Sequence, residues 1–463
     1  MEEKKRFNVP HVYIILLAIV VACSLLTYIV PAGNYDMVPN ASGRMVVDPD
    51  SFEYIDQTPI PFFGMVMSVP EGMAAVAEII FFIFIVGGSF YVLQATGAIE
   101  AGLGRLLHGF KGRERVVIPI VMICFALMGG SFGMAEETIP FIPIMITFAM
   151  ALGFDSITGT AIVFCGAASG FSTAFTNPFT VGVAQSISEL PMFSGMGFRI
   201  GMFCCMVLLT IIFVMRYAGK VKKNPQMSSM YEFDLTRDLM DKDNLPEFTG
   251  RRKLVLLILL GTVVMLLVGV MQLDWYLIEL SALFLLMGFL AAIVGGLGLN
   301  GFAIKLGEGM AGITGGALVV GFARAILVVM TKGNIIHTML YAAANALRGL
   351  SPTVSVLGMY VFQGLLNFFV PSGSGQAALS MPIMAPLSDL LGITRQTAVV
   401  TYQLADGIAN VFFPTVGYFM AGLALGKIPY EKWVKWILPL IGMQYLLGAI
   451  IIVIAQSIEL GPF

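Results

Sequence analysis

Long apolar runs dominate this chain and restrict what it can fold into. YIILLAIVVACSLLTYIV, IGMFCCMVLLTIIFVM and LVLLILLGTVVMLLVG are each close to the length that a helix needs to cross a bilayer. Hydrophobic residues make up 58% of the 463 residues, and charged residues make up only 12%. A water-soluble domain of this composition would expose large apolar patches. The sequence therefore predicts an all-α polytopic membrane protein.

The positions of Lys and Arg predict how the chain is oriented, because cytoplasmic loops carry an excess of them. A basic cluster at residues 4–6 precedes the first apolar run, which places the N-terminus in the cytoplasm. The segment 31–71 has Arg44 as its only basic residue and is expected outside. We expect a multi-pass protein of the cell (inner) membrane.

The longest polar connection lies near the middle of the chain. Residues 216–253 contain nine Lys and Arg together with acidic residues, which indicates a cytoplasmic linker. This linker divides the chain into a first half, 1–215, and a second half, 254–463.

The two halves share a pattern. PIMITFAMALG (143–153) and PIMAPLSDLLG (382–392) have Pro, Ile, Met, Leu and Gly at identical offsets. Each is preceded by a Ser/Gly turn, SFG at 131–133 or SGSG at 372–375, and each is followed by an apolar segment interrupted by polar residues. Three matching elements in the same order indicate an internal repeat.

This repeat predicts the architecture. We expect re-entrant hairpins at about 116–153 and 353–392, and broken transmembrane helices at about 157–187 and 396–424. Four complete spans before residue 216 would fit the charges equally well, but the matching Ser/Gly turns favour the hairpin. The charge counts orient the two copies oppositely, so the prediction is an inverted repeat of the kind found in secondary transporters.

Irregular backbone inside a bilayer needs cover from protein, water or a ligand, because its polar groups are otherwise unsatisfied. Helix ends that meet there also direct their dipoles at one place. We therefore expect the two turns and the two helix breaks to form one substrate site; the alternative is that the small residues only allow close helix packing. The candidates are Ser131, Gly133, Glu136, Glu137, Asn177, Ser372, Gly373, Ser374, Gly375, Gln376, Asp406 and Asn410.

Glu136 and Glu137 are unusual because a charged side chain near the bilayer centre costs roughly 2.5–3.5 kcal/mol on insertion scales. They could hold a cationic substrate group, carry a proton or bind sodium, and the sequence does not choose among these roles. The structural alternative is a salt bridge to Arg324. A coupling sodium ion could bind near Thr176, Asn177 and Asn410. No cofactor or other metal is expected.

Three segments resemble the YfcC-type carriers: GGSFGMAEETIPFIPI, FSTAFTNPF and NFFVPSGSGQAALSMPIMAPLSDLLGITRQTAVVTYQLADGIANVFFPT. That branch belongs to the C4-dicarboxylate anaerobic carrier (DcuC-like) group and is related to arginine/ornithine antiporters of the ArcD type. The resemblance covers nearly the whole chain. It implies a fold of the ion transporter superfamily, a homodimer with a scaffold and a moving transport domain, and elevator-type alternating access.

The function expected is a secondary active transporter of a basic amino acid such as arginine or ornithine, by exchange or by ion coupling. The resemblance implies basic amino acids for YfcC-like proteins and dicarboxylates for other branches. Paired glutamates suit an amine or guanidinium, and SGSGQ suits a carboxylate. The alternative is a C4-dicarboxylate or other carboxylate carrier coupled to sodium or protons, for which we would expect a basic residue in or near a turn; neither turn contains one.

Other classes of protein fit the sequence less well. A channel would need no inverted hairpins, and the apolar runs contain no Ser/His pair or HExxH motif for an enzyme. ATP-driven transport by this chain alone would need a GxxxxGK[ST] motif, which is absent. The net charge of −2 says nothing about nucleic acid, but the sequence has no basic cluster suited to binding it. The expected partners are a small-molecule substrate, the lipid bilayer and a second copy of the chain.

Overall fold

The computed structural model describes residues 12–39, 45–48, 50–99, 101–102, 114–237, 246–273 and 275–461. Nearly all regular structure within these residues is helical. Six helices are long and apolar enough to cross a membrane, as judged by length and composition. They are Val12–Ile29, Ala77–Ala95, Met196–Lys223, Leu277–Gly295, Pro352–Phe369 and Tyr430–Ser457.

One set of helices, called here the outer group, packs around a helix of 35 residues. Its core contains the fully buried side chains of Phe82, Ile83 and Phe284. The members of the outer group are Val12–Ile29, Phe62–Ala75, Ala77–Ala95, Gly250–Gln272, Leu277–Gly295 and Gly298–Lys332.

One helix of the outer group begins earlier than the sequence predicted. The segment 31–71 was expected to be a loop, but a helix begins inside it at Phe62 and continues to Ala75. Pro70 and the next residue, Glu71, both lie within this helix. A proline and a charge next to each other interrupt the apolar pattern, so the sequence places the helix start too late.

The remaining long helices form a second set, called here the inner group, in which the two halves follow the same order. In each half, two helices flank a turn, two further helices flank a break, and a long helix follows. The first half contains Glu114–Phe132, Phe141–Ala151, Ser156–Ser172, Val183–Ile187 and Met196–Lys223. The second half contains Pro352–Phe369, Gly373–Leu390, Arg395–Ala409, Gly417–Leu425 and Tyr430–Ser457. These helices follow the apolar runs of the sequence to within a few residues. That they form re-entrant hairpins and broken transmembrane helices stays a prediction.

We name the irregular segments by their order. The first turn is residues 131–138, and the first break is residues 173–177; the second turn is residues 370–376, and the second break is residues 410–416. The first turn includes the short 3-10 helix Glu136–Thr138, and a π-helical turn, Pro178–Gly182, follows the first break.

The contacts of the two halves also repeat. In each half, both helices that flank the turn pack against the helix that precedes the break, Ser156–Ser172 or Arg395–Ala409. The halves interlock reciprocally: the helix Gly373–Leu390 packs on the segment that follows the first break, and residues 136–138 pack on the helix Gly417–Leu425, which follows the second break. The predicted repeat therefore extends to tertiary contacts.

The helices that precede the two breaks cross each other directly. Gly407 makes this approach possible, because a Cβ atom at this position would lie 2.3 Å from Ser172 Cα. Gln403 lies one turn away and donates from Nε2 to the Phe171 carbonyl oxygen at 2.5 Å. Each preceding helix begins with a side-chain cap: Asp155 accepts from Thr158 N, and Thr394 accepts from Thr397 N.

Smaller elements complete the fold. The helix Met196–Lys223 continues past the expected boundary at residue 215. Two two-stranded antiparallel sheets and two short helices lie outside the inner and outer groups. They are the strand pairs Gly33–Asn34 with Glu53–Tyr54 and Met37–Pro39 with Met45–Val47, and the helices Tyr231–Leu235 and Ile336–Leu347. A short 3-10 helix, Pro225–Met227, precedes Tyr231–Leu235.

Candidate functional site

The first turn reverses the chain immediately after a helix ends at Phe132. Gly133 has a φ of 75°, a left-handed conformation that glycine adopts without the strain other residues incur. The first turn and the first break are joined by hydrogen bonds: Phe175 N and Thr176 N donate to the Gly130 carbonyl oxygen at 3.0 and 3.3 Å. Thr176 Oγ1 also donates to the carbonyl oxygen of Ser131 at 3.2 Å.

Asn177 occupies the centre of this junction. Its Oδ1 accepts from Phe179 N at 2.9 Å and from Thr180 N at 3.3 Å, which caps the π-helical turn and fixes the orientation of the amide. Asn177 Nδ2 is buried and has no hydrogen-bond partner within the described residues. Gly133 packs against this amide, since a Cβ atom at residue 133 would lie 2.4 Å from Asn177 Oδ1.

The second turn meets the same segment from the other half. A Cβ atom at Gly373 would lie 2.6 Å from Thr180 Cγ2 and 3.4 Å from Asp406 Oδ2. Tyr402 donates its hydroxyl to the Gly373 carbonyl oxygen at 2.5 Å. The two turns are therefore connected through residues 177–180, with Gly133 at one end of this segment and Gly373 at the other.

The serines of the two turns differ in their surroundings. Ser372 Oγ accepts from Gly375 N at 3.3 Å and caps the helix that follows. Ser372 and Ser374 are both exposed. Ser131, in contrast, donates its hydroxyl to the carbonyl oxygen of Leu127 in its own helix. Its side chain is thus engaged within the helix, and its backbone carbonyl makes the contact with the first break.

Asp406 lies in the helix that precedes the second break and is fully buried. Its Oδ1 accepts from Asn367 Nδ2 at 2.6 Å, and the same Nδ2 donates to Asn410 Oδ1 at 3.3 Å. Asp406 Oδ2 and Asn367 Oδ1 have no partner in the part of the chain that the structure describes. Two candidates from the sequence, Asp406 and Asn410, are thus brought together by a third residue, Asn367.

Gln376 is not presented at the surface of the second turn. It is fully buried, and its Nε2 donates to the backbone and side-chain oxygens of Gln363 at 2.9 and 2.8 Å. Its Oε1 finds no donor among the described residues. This position joins the two helices that flank the second turn.

Glu136 and Glu137 lie on the side of the first turn that faces the outer group. Glu137 is buried, and its Oε2 accepts from Ala135 N at 3.0 Å. Both carboxylates interact electrostatically with the hydroxyl groups of Tyr276 and Tyr418. The salt bridge considered from the sequence is not found: none of the ion pairs within the described residues joins Arg324 to either glutamate.

The sequence analysis missed a basic residue beside the first break. Arg199 is fully buried, and its Nη1 donates to the Ala174 carbonyl oxygen at 3.4 Å. Its Nε and Nη2 have no partner within the described residues. Neither turn contains a basic residue, but Arg199 bonds to Ala174 in the first break, directly before the residues that bond to Gly130 and Ser131. A charged residue immediately before the run IGMFCCMVLLTIIFVM was the available signal.

Several buried polar atoms near the turns and breaks have no partner among the described residues, and the second half also contains Thr415 Oγ1 and the donor Trp436 Nε1. In the first half they include hydrogen-bond donors: Asn177 Nδ2, Thr180 Oγ1 and Arg199 Nε and Nη2. In the second half they include acceptors: Asn367 Oδ1, Gln376 Oε1, Gln403 Oε1 and Asp406 Oδ2. Buried polar atoms are normally paired, so this set indicates groups that bind something else.

The family of this chain is decided by its match to the model of the C4-dicarboxylate anaerobic carriers, DcuC, over residues 9–457. The chain belongs to the DcuC family. It is a membrane transporter of this type, with several apolar helices.

Two relatives align over nearly the full length of the chain. It is 34% identical to the Escherichia coli (strain K12) protein named "Putative basic amino acid antiporter YfcC", over 98% of this chain and 97% of that protein. It is 28% identical to an uncharacterized protein of Haemophilus influenzae, over 99% of both chains.

Two solved structures were also compared with the chain. The Alcanivorax borkumensis YdaH transporter gives a TM-score of 0.44 at 15% identity, over 98% of this chain and 99% of that chain. Neisseria gonorrhoeae MtrF, from a class of antimetabolite efflux pumps, gives 0.41 at 16% identity, over 97% and 95% of the chains.

Proposed function

We propose that this DcuC-family protein is a secondary active transporter of a basic amino acid, with arginine and ornithine as the leading substrates. The observation that carries the proposal is the meeting of both turns at residues 177–180, where Asn177 Nδ2 and Thr180 Oγ1 have no partners within the described residues. An amino acid offers both a carboxylate and a cationic group, and the site offers complements to both.

The donor groups of the first half suit the substrate carboxylate. Thr180 Oγ1 is an unpartnered donor whose side chain contacts Gly373, where the helix of the second turn begins, and Asn177 Nδ2 is another beside Gly133. A helix N-terminus attracts negative charge, so it reinforces these donors. Arg199 adds a positive charge next to the first break.

The acidic groups of the first turn suit the cationic end of the substrate. Glu136 and Glu137 lie without a cationic partner among the described ion pairs. An amine or guanidinium would satisfy them, and burial would strengthen that attraction. This pairing favours a basic amino acid over a substrate that carries only carboxylates.

A second candidate is a carrier of C4-dicarboxylates or other carboxylates, coupled to sodium or protons. Arg199 is the observation that favours it, because a buried guanidinium with free nitrogens is a common partner of carboxylates. The family's description as C4-dicarboxylate carriers points the same way. The two candidates differ in whether the glutamates contact the substrate.

Counterflow in proteoliposomes separates the candidates. Labelled arginine, ornithine, succinate and a neutral amino acid would each be offered to vesicles loaded with the same unlabelled compound. The proposal predicts saturable counterflow of arginine and ornithine, which is lost in the double variant Glu136→Gln/Glu137→Gln. Clear succinate counterflow without arginine or ornithine counterflow would instead support the second candidate.

The proposal also covers localisation, oligomeric state and mechanism. The protein lies in the inner membrane with its N-terminus in the cytoplasm, forms a homodimer, and transports by an elevator-type motion of the inner group against the outer group. The reciprocal contacts of the two halves support this arrangement. An N-terminal tag should be cleaved by protease in inside-out vesicles and protected in right-side-out vesicles. Native mass spectrometry should detect two copies.

A further inference from the structure

We infer that Asp406 is the proton-coupling site of this carrier. In this inference, two hydrogen bonds between the carboxyl group of Asp406 and the side-chain amide of Asn367 close a ring and hold Asp406 as a neutral acid. The inference rests on the proposed transport function, because coupling has meaning only for a carrier. It deepens that function by assigning the coupling ion and the residue that carries it.

The geometry of the pair comes first. Asp406 and Asn367 are both fully buried and belong to two packed helices, Arg395–Ala409 and Pro352–Phe369. Asn367 Nδ2 donates to Asp406 Oδ1 at 2.6 Å. The amide cannot be reversed without loss of this bond and of the bond from Nδ2 to Asn410 Oδ1. Asn367 Oδ1 and Asp406 Oδ2 are then the two oxygens of this pair that have no donor within the described residues.

The ring is incomplete if Asp406 is ionised. Asp406 Oδ2 and Asn367 Oδ1 would then both be buried acceptors without a donor, which is how the described residues leave them. A proton on Oδ2 makes it a donor to Asn367 Oδ1 and completes the pairing of a carboxylic acid with a primary amide. This removes two unsatisfied acceptors and a buried charge, each of which is costly inside a membrane protein.

The surroundings supply no positive charge that would favour the ionised form. None of the ion pairs within the described residues includes Asp406. Tyr402 on the same helix and Tyr418 and Tyr445 on neighbouring helices interact electrostatically with Asp406. Tyr360 and Cys165 lie on two further helices that pack against the helix of Asp406. All of these groups are neutral at physiological pH. The charged residues on the packed helices lie near helix ends: Asp389, Arg395, Glu431, Lys432 and Lys435.

The unpaired oxygen, Asp406 Oδ2, faces the second turn. A Cβ atom at Gly373 would lie 3.4 Å from Asp406 Oδ2, and Gly373 lies between the exposed Ser372 and Ser374. A small displacement of the second turn would therefore admit water to Oδ2. In that step the O–H bond of Asp406 breaks, a water molecule takes the proton as hydronium, and the Asn367 ring opens. Protonation from the opposite side of the membrane reverses the step, with no change in oxidation state.

The test uses the full chain in proteoliposomes that contain a pH-sensitive dye. The wild-type protein should move protons when any transported member of the panel (arginine, ornithine, succinate or a neutral amino acid) is added, and a pH gradient should drive accumulation. Asp406→Asn should lose both activities, and any counterflow that remains should no longer depend on pH. Asp389→Asn, the same chemical change at the exposed end of a packed helix, should behave as the wild type.

Three outcomes would overturn the inference. They are substrate-driven proton movement that survives in Asp406→Asn, accumulation driven by a sodium gradient but not by a pH gradient, and an unchanged pH profile of proton movement in Asn367→Leu. Asn367→Leu removes the hydrogen-bonded ring but keeps the acid. It therefore tests the inference even if Asp406→Asn does not fold.

Infrared spectroscopy separates this inference from the transport proposal. At neutral pH without substrate, the wild type should show the carbonyl stretch of a protonated carboxylic acid that Asp406→Asn lacks. Absence of transport for the whole panel would contradict the proposed function but leave this measurement intact. Absence of the acid band would contradict the assignment of Asp406, whichever substrate is carried.

Discussion

Arg199 lies fully buried beside the first break, with two nitrogens that have no partner within the described residues. If it binds the substrate carboxylate, Arg199→Gln should raise the KM for arginine. A hydrogen bond to a charged group contributes about 1.5–3 kcal/mol, which corresponds to roughly a 10- to 100-fold rise. Uptake at a series of arginine concentrations gives the KM of the wild type and of Arg199→Gln. Arg199→Lys should restore only part of the affinity, because an ammonium lacks the planar fork.

The control for Arg199 is a substrate without the carboxylate. Agmatine, which is decarboxylated arginine, should bind the wild type weakly, and its affinity should hardly change in Arg199→Gln. If Arg199 had only a structural role, as a donor to the Ala174 carbonyl oxygen, Arg199→Gln would weaken the binding of arginine and of agmatine by the same factor.

Gly407 allows the two helices that precede the breaks to touch at Ser172. Gly407→Val should force them apart and destabilise the protein by about 1–3 kcal/mol, the usual cost of overpacking. The melting temperature in detergent, followed by size-exclusion chromatography, would report this loss. Gly442→Val is the matched control, because a Cβ there meets no described atom within 4 Å. Equal melting temperatures for the two variants would argue against the crossing.

At this scale the sequence predicted which residues were unusual, but not which atoms would be left unpaired. Asp406, Asn177 and Gly373 were recognisable as polar or small residues in apolar surroundings. Asn367 was not, because a single amide at the end of a helix gives no pattern; its meaning depends on Asp406, which lies in a different helix. Arg199 was missed although it stands directly before an apolar run.

The extracellular-side loop expected from the sequence forms a compact element. Tyr35 N donates to His337 Nδ1 at 3.2 Å, and the ring of Phe52 stacks on Tyr341 at 4.0 Å between centroids. The loop is thereby attached to the short helix Ile336–Leu347. This helix was not predicted from the sequence, because its 12 residues are too few to indicate a span.

His337 predicts a pH dependence for this element. Burial lowers its pKa below the ordinary value of 6.5, because desolvation disfavours the charged ring. A base whose pKa is lowered on folding loses its stabilising effect as pH falls, since the open state binds more protons. The attachment should therefore be complete above pH 6.5 and weaken as the pH falls from 6.5 towards the lower pKa of the folded state. Protonation of Nδ1 also removes the acceptor for Tyr35 N.

Hydrogen exchange of residues 31–39 and 50–56, corrected for the intrinsic rate, measures the attachment. Exchange should increase as the pH falls below the ordinary histidine value in the wild type. His337→Gln should lose this dependence, because an amide does not titrate. The same dependence in both proteins would assign the effect to another group.

The elements of the inner group were the most predictable part of the fold. Their helix bounds follow the apolar runs, and the turns and breaks follow Ser, Gly, Asn and Pro residues whose positions repeat between the halves. The start of the helix Phe62–Ala75 was predicted too late, because Pro70 and Glu71 resemble the end of a loop. Local composition predicts where a helix is interrupted, but not whether the interruption ends it.

At the scale of the whole molecule, the two halves make equivalent contacts, and each half packs its turn against the other half's broken helix. The sequence predicted the repeat from three short matches. It could not predict the reciprocal packing, because such contacts join residues more than 200 positions apart, for example Gln403 and Phe171. The central claim about this molecule is that the second turn and the segment after the first break meet at one site.

A cysteine pair tests this claim most directly. Gly373 and Thr180 lie close enough for a disulfide, since a Cβ atom at 373 would lie 2.6 Å from Thr180 Cγ2. The pair Thr180→Cys/Gly373→Cys would be built in a chain whose five native cysteines are replaced by alanine. The control, Thr180→Cys/Leu390→Cys, places the second cysteine at the far end of the same helix. We predict rapid oxidative crosslinking of the 180/373 pair alone, with transport arrested until the bond is reduced. Failure of that pair to crosslink in folded protein, or equal crosslinking of the control, would contradict the account.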